Sequence, residues 1–185
     1  MKSHLEHIAL IKTGVYAKTT IKGDSVYLQP KDLLEESGLE FLNRKDLFIS
    51  SISPQHILQK DDILFTAKGN NNMAYIFKFS HSIAAASTSF FVIKVSDPKV
   101  LPEYIVWYLN QPKTQQHLKK FARGTAMVSI SKEVLKSLEV PIPSIDRQHT
   151  IIEIDKLLQK EKRLKVKLEF LKETLLQQQL LNALK

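Results

Sequence analysis

The chain has 185 residues, enough for one substantial domain and too few for two full ones. Its 43% hydrophobic and 25% charged content excludes wholesale disorder. The absence of cysteine excludes a disulfide scaffold, a thiol nucleophile and cysteine-bound zinc or iron–sulfur, while a net charge of +8 points to an anionic partner.

The amino terminus, Met1-Lys2-Ser3-His4-Leu5-Glu6-His7, lacks the apolar core and cleavage site of a signal peptide. No stretch approaches the ~20 apolar residues that span a bilayer. A soluble cytoplasmic protein is the resulting expectation. A polar segment over residues 13–22 follows, holding Lys18, Thr19 and Lys22. Val26-Tyr27-Leu28 and Leu47-Phe48-Ile49 are expected as strands, and so is the run Asp61-Asp62-Ile63-Leu64-Phe65-Thr66-Ala67. This last run enters a turn at Lys68-Gly69-Asn70-Asn71-Asn72. Residues 74–79 alternate in polarity and are expected to pair back as a hairpin. Residues 87–95, dense in β-branched and aromatic side chains, form the clearest strand, ended by Asp97-Pro98.

Pro102 then opens a helix, since a first-turn residue has no use for its missing N–H. The apolar face of that helix is Tyr104, Ile105, Tyr108 and Leu109, and a second helix follows Pro112, from Thr114 to about Phe121. From Ser144 onward Gly and Pro vanish, and Leu, Lys, Glu and Gln dominate. A single helix over this segment would be about 40 residues and roughly 60 Å long, which divides the chain into a globular part, 1–143, and a helical part, 144–185. Ile154, Leu157, Leu164, Leu168, Leu171 and Leu175 follow 3-4-7 spacing, a heptad seam interrupted by Glu161, with Leu180, Leu181 and Leu184 out of phase. Pairing with another helix is the favoured use of such a seam; an amphipathic helix folded back on its own domain is the alternative.

The charge is uneven. Residues 1–110 hold twelve basic and eleven acidic groups, residues 111–185 fifteen and eight. Between 112 and 136, Lys113, Lys119, Lys120, Arg123, Lys132 and Lys136 face Glu133 alone, which suits either a phosphate-facing surface or a solvated helix face.

Catalytic constellations do not emerge. No two of the six histidines have the i, i+4 spacing of a helical zinc site, and no phosphate-cradling glycine loop is present. Asp61 and Asp62 stand at a strand entrance, where turn residues belong; neither Lys78 nor Lys94 has an acidic residue two positions before it to complete a metal-dependent nuclease site. No catalytic residue, metal or cofactor is therefore expected. Polar loops suit DNA better. Asn70, Asn71 and Asn72 carry amides that pair bidentately with adenine edges, beside the cation of Lys68. Arg123, Gly124, Thr125, Ser129 and Lys132 combine a guanidinium, hydroxyls and a glycine within the basic segment.

The order of these features resembles one half of a type I restriction–modification specificity (S) subunit, a target-recognition domain followed by a helical spacer. Residues 61–69 resemble the family's strand-and-turn Asp-Asp-Ile-Leu motif, residues 85–93 its following core strand, and residues 102–110 its Pro-x-Tyr helix. Residues 124–130 resemble its glycine loop. The most specific match is Leu135-Lys136-Ser137-Leu138-Glu139-Val140-Pro141-Ile142-Pro143-Ser144-Ile145-Asp146-Arg147-Gln148, in which Arg147 replaces the usual acidic residue. The resemblance implies an α+β fold: a mixed target-recognition domain with a twisted β-sheet and short helices, followed by a long C-terminal helix forming a coiled coil. It implies a non-catalytic subunit that binds double-stranded DNA sequence-specifically and directs methyltransferase (M) and restriction (R) subunits to a bipartite site. A homodimer joined antiparallel through the seam would read an interrupted palindrome. The other readings are a basic scaffold or adaptor binding an acidic protein, and a stand-alone nuclease.

Overall fold

The computed structural model describes residues 2–33, 44–69, 72–79, 83–121 and 129–183, and the chain divides into two compact units, Met1–Ile145 and Asp146–Lys185. The first is α+β. In chain order it comprises β1 (Lys2–His4), α1 (Leu5–Ile8), β2 (Ala9–Thr13), β3 (Val26–Leu28), β4 (Ile63–Thr66), β5 (Ala74–Ile76), β6 (Ala84–Ala86) and β7 (Phe90–Val95). Helices α2 (Pro102–Leu109), α3 (Pro112–Lys120) and α4 (Lys132–Lys136) and strand β8 (Glu139–Pro141) complete it, and the long α5 (Ile145–Asn182) follows.

Four strands form an antiparallel sheet in the order β2-β7-β4-β5, with Ile93 of β7 opposite both Ile11 and Ile63. Strand β7 lies between two partners, which is why this run is so rich in β-branched and aromatic residues. β3 and β6 form a parallel pair whose side chains alternate between two clusters. Val26, Leu28, Ala84 and Ala86 pack with Leu58, Leu64, Phe77 and Phe90, while Tyr27 and Ala85 pack with Leu47 and Ile52. With apolar groups needed on both faces, all six positions are buried. β1 pairs with β8, and the Tyr104 and Tyr108 hydroxyls of α2 donate to the carbonyls of Pro141 (2.7 Å) and Glu139 (2.9 Å).

Two sequence expectations are corrected. Leu47-Phe48-Ile49 is not a strand. Leu47 makes one isolated bridge with Ser25; then Asp24 Oδ1 accepts from the Ile49 N–H (2.8 Å) and the chain turns into a 3-10 helix, Ile49–Ser51. The strand expected over residues 87–95 is present but starts later, as β7 from Phe90: the Phe90 N–H donates to the Ser87 carbonyl (3.0 Å), closing a turn before it, and β6 upstream pairs in another sheet. Propensity had no access to this change of partner.

Gly14 marks the crossing between the two sheets, its N–H on the Phe90 carbonyl (2.9 Å) and that of Val15 on the Ala86 carbonyl (2.8 Å). A Cβ at position 14 would fall on the carbonyl oxygens of Ser87 and Ala86, both main-chain atoms. Gly14→Ala should therefore destabilise the domain by about 3 kcal/mol, the scale of overpacking in a fixed interior, read as a lowered midpoint in chemical unfolding. An unchanged midpoint would refute the close approach.

The second unit is α5. About 57 Å long at 1.5 Å per residue, it exposes the whole seam, from Leu171 at 52% to Leu157 at 65%. Among the described residues from Glu153 onward none is buried. Glu161, the seam's interruption, pairs with Lys165 at 2.6 Å. Among the described residues no helix is long and apolar enough to cross a membrane, and no group of three or more His, Asp or Glu is placed to hold a metal ion.

Candidate nucleic-acid interface

Strands β2 and β4 both run antiparallel to β7, so they run parallel to each other. Thr13 and Thr66, their last residues, lie opposite Phe91 and Phe90, so the segments that follow them leave from the same end of the sheet. One is the 14–25 loop with Lys18, Thr19 and Lys22. The other is the turn that begins at Ala67 and Lys68. A third segment joins them: Ser129 bridges Lys68, and the Ile130 N–H donates to the Ala67 carbonyl (2.9 Å). Two polar stretches far apart in sequence thus leave from one sheet end, and a third is joined to the second of them.

The corner between α2 and α3 braces this end. Asn110 accepts from the Ala74 N–H and donates to its carbonyl, both at 2.8 Å. Gln115 Nε2 donates to the carbonyls of Asn72 (2.6 Å) and Leu109 (2.7 Å). Helix α3 is thereby fixed to the turn, with Leu118 buried and Lys119 and Lys120 exposed one turn beyond Gln115. Ser131 caps α4, its hydroxyl accepting from the Val134 N–H (3.2 Å), and Lys132 follows half-buried.

Of the residues expected to contact DNA, Lys18, Thr19, Lys22, Lys68, Lys119 and Lys120 are exposed, and Ser129 is half-buried. Asn70, Asn71, Arg123, Gly124 and Thr125 lie outside the described residues. Asn72 is a correction. It is 1% exposed, and its amide nitrogen donates to the Thr66 carbonyl (2.9 Å), closing the loop from within. An amide spent in this way presents nothing to a base edge. Asn110 and Gln115 escaped the sequence reading because their partners lie far along the chain.

The 14–25 loop rests on a second brace. Arg44 forks onto Asp32, Nη1 to Oδ1 at 2.7 Å and Nη2 to Oδ2 at 2.9 Å; Nη2 also donates to the Tyr27 carbonyl (2.9 Å), and Asp46 lies 2.6 Å from Nε. Burial alone would raise the Asp32 carboxyl, but the Arg44 fork and the Gln29 N–H outweigh it and hold it below its ordinary value. Tyr27 carries the brace to the loop: its hydroxyl donates to the Val15 carbonyl (2.8 Å) and accepts from the Ala17 N–H (3.3 Å). Burial raises this phenol, which therefore stays protonated and able to donate at neutral pH.

Asp61 and Asp62 serve the turn before β4. Asp61 adopts φ 71°, in the left-handed region that Asp tolerates. The Asp62 carboxylate accepts from the Gln59 N–H (2.8 Å) and lies 3.7 Å from Lys94, with burial pushing its carboxyl upward.

A family model described as the type I restriction modification DNA specificity domain matches residues 11–169. No curated protein sequence matches the chain. Among solved structures, the S subunit of a type I restriction–modification system from M. genitalium is similar with a TM-score of 0.60 and 16% identity, over 86% of this chain and 39% of that one. A structure titled as the basis of complex assembly and conformational transition of the type I R-M system gives 0.65 and 15%, over 89% and 40%. The HsdS subunit from Thermoanaerobacter tengcongensis gives 0.59 and 14%, over 87% and 37%. At these identities the likeness establishes the fold, and the chain spans about two fifths of the length of each.

Proposed function

The chain belongs to the type I restriction modification DNA specificity domain family, and on that premise we propose that it is a recognition module for double-stranded DNA, carrying no catalytic site of its own. Residues 1–143 act as the target-recognition domain, and residues 144–185 as a spacer and dimerisation helix. The observation that supports the reading is that the strands before the Lys18–Thr19–Lys22 loop and before the Lys68 turn end at the same braced end of the sheet, with Ser129 bridged to Lys68. Cations there neutralise phosphates, and hydroxyls and amides address base edges.

The exposed seam on α5 supports pairing of two copies, which would present two recognition domains to the two halves of a bipartite site. Methyltransferase subunits, and with them a restriction subunit, would assemble on this dimer in the cytoplasm. The test is to express the chain with type I methyltransferase subunits and sequence the methylated genome. Methylation at an interrupted palindrome is the expected outcome. Methylation at an asymmetric site would overturn the homodimer, and no dependence of methylation on the chain would overturn the assignment.

A further inference from the structure

The 14–25 loop presents apolar groups that its role in phosphate contact does not require. Ile21 is 100% exposed, Tyr16 80% and Phe48, on the neighbouring segment, 48%. Single exposed hydrophobes are ordinary on protein surfaces. Here, however, Tyr16 and Phe48 line a recess of about 480 Å³ with Lys18, Thr19, Thr20 and Ser51, and Ile21 follows Thr20 directly in the chain. Lys18 and Lys22 flank it, both exposed.

The loop holds this arrangement by main-chain pairing on each side of the tip. Before the tip, the Tyr27 hydroxyl ties Val15 and Ala17. At the tip, the Thr20 N–H donates to the Asp46 carbonyl (2.9 Å), and the Gly23 N–H donates to the Lys45 carbonyl (2.8 Å). Gly23 approaches the main chain so closely that a Cβ there would lie 2.5 Å from both the N and O of Leu47. Between these anchors the chain cannot turn Ile21 inward, so its exposure is built into the loop. A group held ready in this way enters a partner surface without the entropy cost of ordering it.

Phosphate oxygens offer nothing to an aliphatic side chain, and sugar C–H faces are the same at every base and carry no sequence information. In the major groove one base alone displays an apolar group, the C5-methyl of thymine. We propose that Ile21 is a specificity-determining residue that packs against a thymine methyl in each half-site, with Lys18 and Lys22 on the adjoining phosphates. This inference rests on the DNA-recognition reading above and adds to it a residue and a base.

The test begins by selecting, with the full chain, its preferred duplex from a random pool. Each thymine of that duplex is then replaced singly by deoxyuridine, which removes only the methyl. With the natural protein, one position per half-site should lose about fivefold in affinity, the worth of one buried methyl group. Ile21→Ala, which removes the contact in both half-sites, should lose about twenty-five-fold on the thymine duplex and become indifferent to deoxyuridine at that position. Its salt dependence should stay unchanged, and Ile21→Val should restore most of the discrimination. Folding is not at stake, because Ile21 touches no core. Unaltered deoxyuridine sensitivity in Ile21→Ala would overturn the inference while leaving the DNA reading intact, as would uniform weakening on every duplex. Failure of the natural protein to select any duplex would overturn the DNA reading itself.

Discussion

Reversing Lys68, Lys119 and Lys120 together to Glu is expected to lower affinity for duplex DNA by about two to three orders of magnitude near 0.1 M salt. The physical basis is counterion release: each phosphate neutralised contributes about 0.9 to the slope of log affinity against log salt, so three lost contacts flatten that slope by roughly 2.7. All three side chains are exposed, so thermal unfolding should be unaffected and the loss should be one of binding alone. Lys60→Glu supplies the control. This exposed lysine precedes β4, at the opposite end of the strand from Lys68, and its reversal should change affinity by less than about twofold. A triple variant that keeps both the affinity and the slope of the natural protein would place the DNA surface elsewhere.

The second large effect is expected on α5. Replacing Leu164 and Leu171 by Asp should convert a dimer into a monomer in sedimentation analysis, raising the dissociation constant at least about a thousandfold. Each leucine is more than half exposed in the single chain, 58% and 52%, and burial against a partner would stabilise the pair by about 2 kcal/mol per side chain, repeated on the second copy by symmetry. The aspartates would also carry charge into an apolar seam, where removal from water is costly. Because none of the described side chains from Glu153 onward is buried, the unit Met1–Ile145 should unfold at its usual midpoint. Helicity should fall at the same time, since a solvated helix derives most of its stability from packing. A natural protein that is monomeric at micromolar concentration, or a variant that remains dimeric, would remove the seam from the account.

Several parts of this molecule were legible without coordinates because their causes are local. Pro102 stands at the first position of α2, as expected, while α3 begins at Pro112, two residues before the expected start at Thr114; Tyr104, Ile105 and Leu109 are buried as their spacing requires, and Tyr108, expected with them, is half-buried. β4 and β5 form the anticipated hairpin, with Leu64 opposite Tyr75. β1 and β8 went unread, since their three-residue segments carry too little periodicity to register and form only through each other. The leucine seam, the basic second half and the Val-Pro-Ile-Pro segment were equally readable, each being a matter of composition or spacing.

The amino-acid order by itself determined the family, the α+β class, the central strand, the helix starts and the repeat along α5, because these follow from propensity, backbone chemistry and periodicity over a few neighbouring residues. Tertiary structure alone decided how the candidate site is assembled. It brought Ser129 to Lys68, turned Asn72 inward, reduced Leu47 to a single bridge and left Ile21 outside. Most of these outcomes depend on where main-chain N–H and carbonyl groups find partners well outside the local segment, and that of Asn72 on a side-chain amide reaching the Thr66 carbonyl. A local window contains the groups that seek those partners but not the partners themselves, so which polar loops share one surface is settled only when the strands take their register.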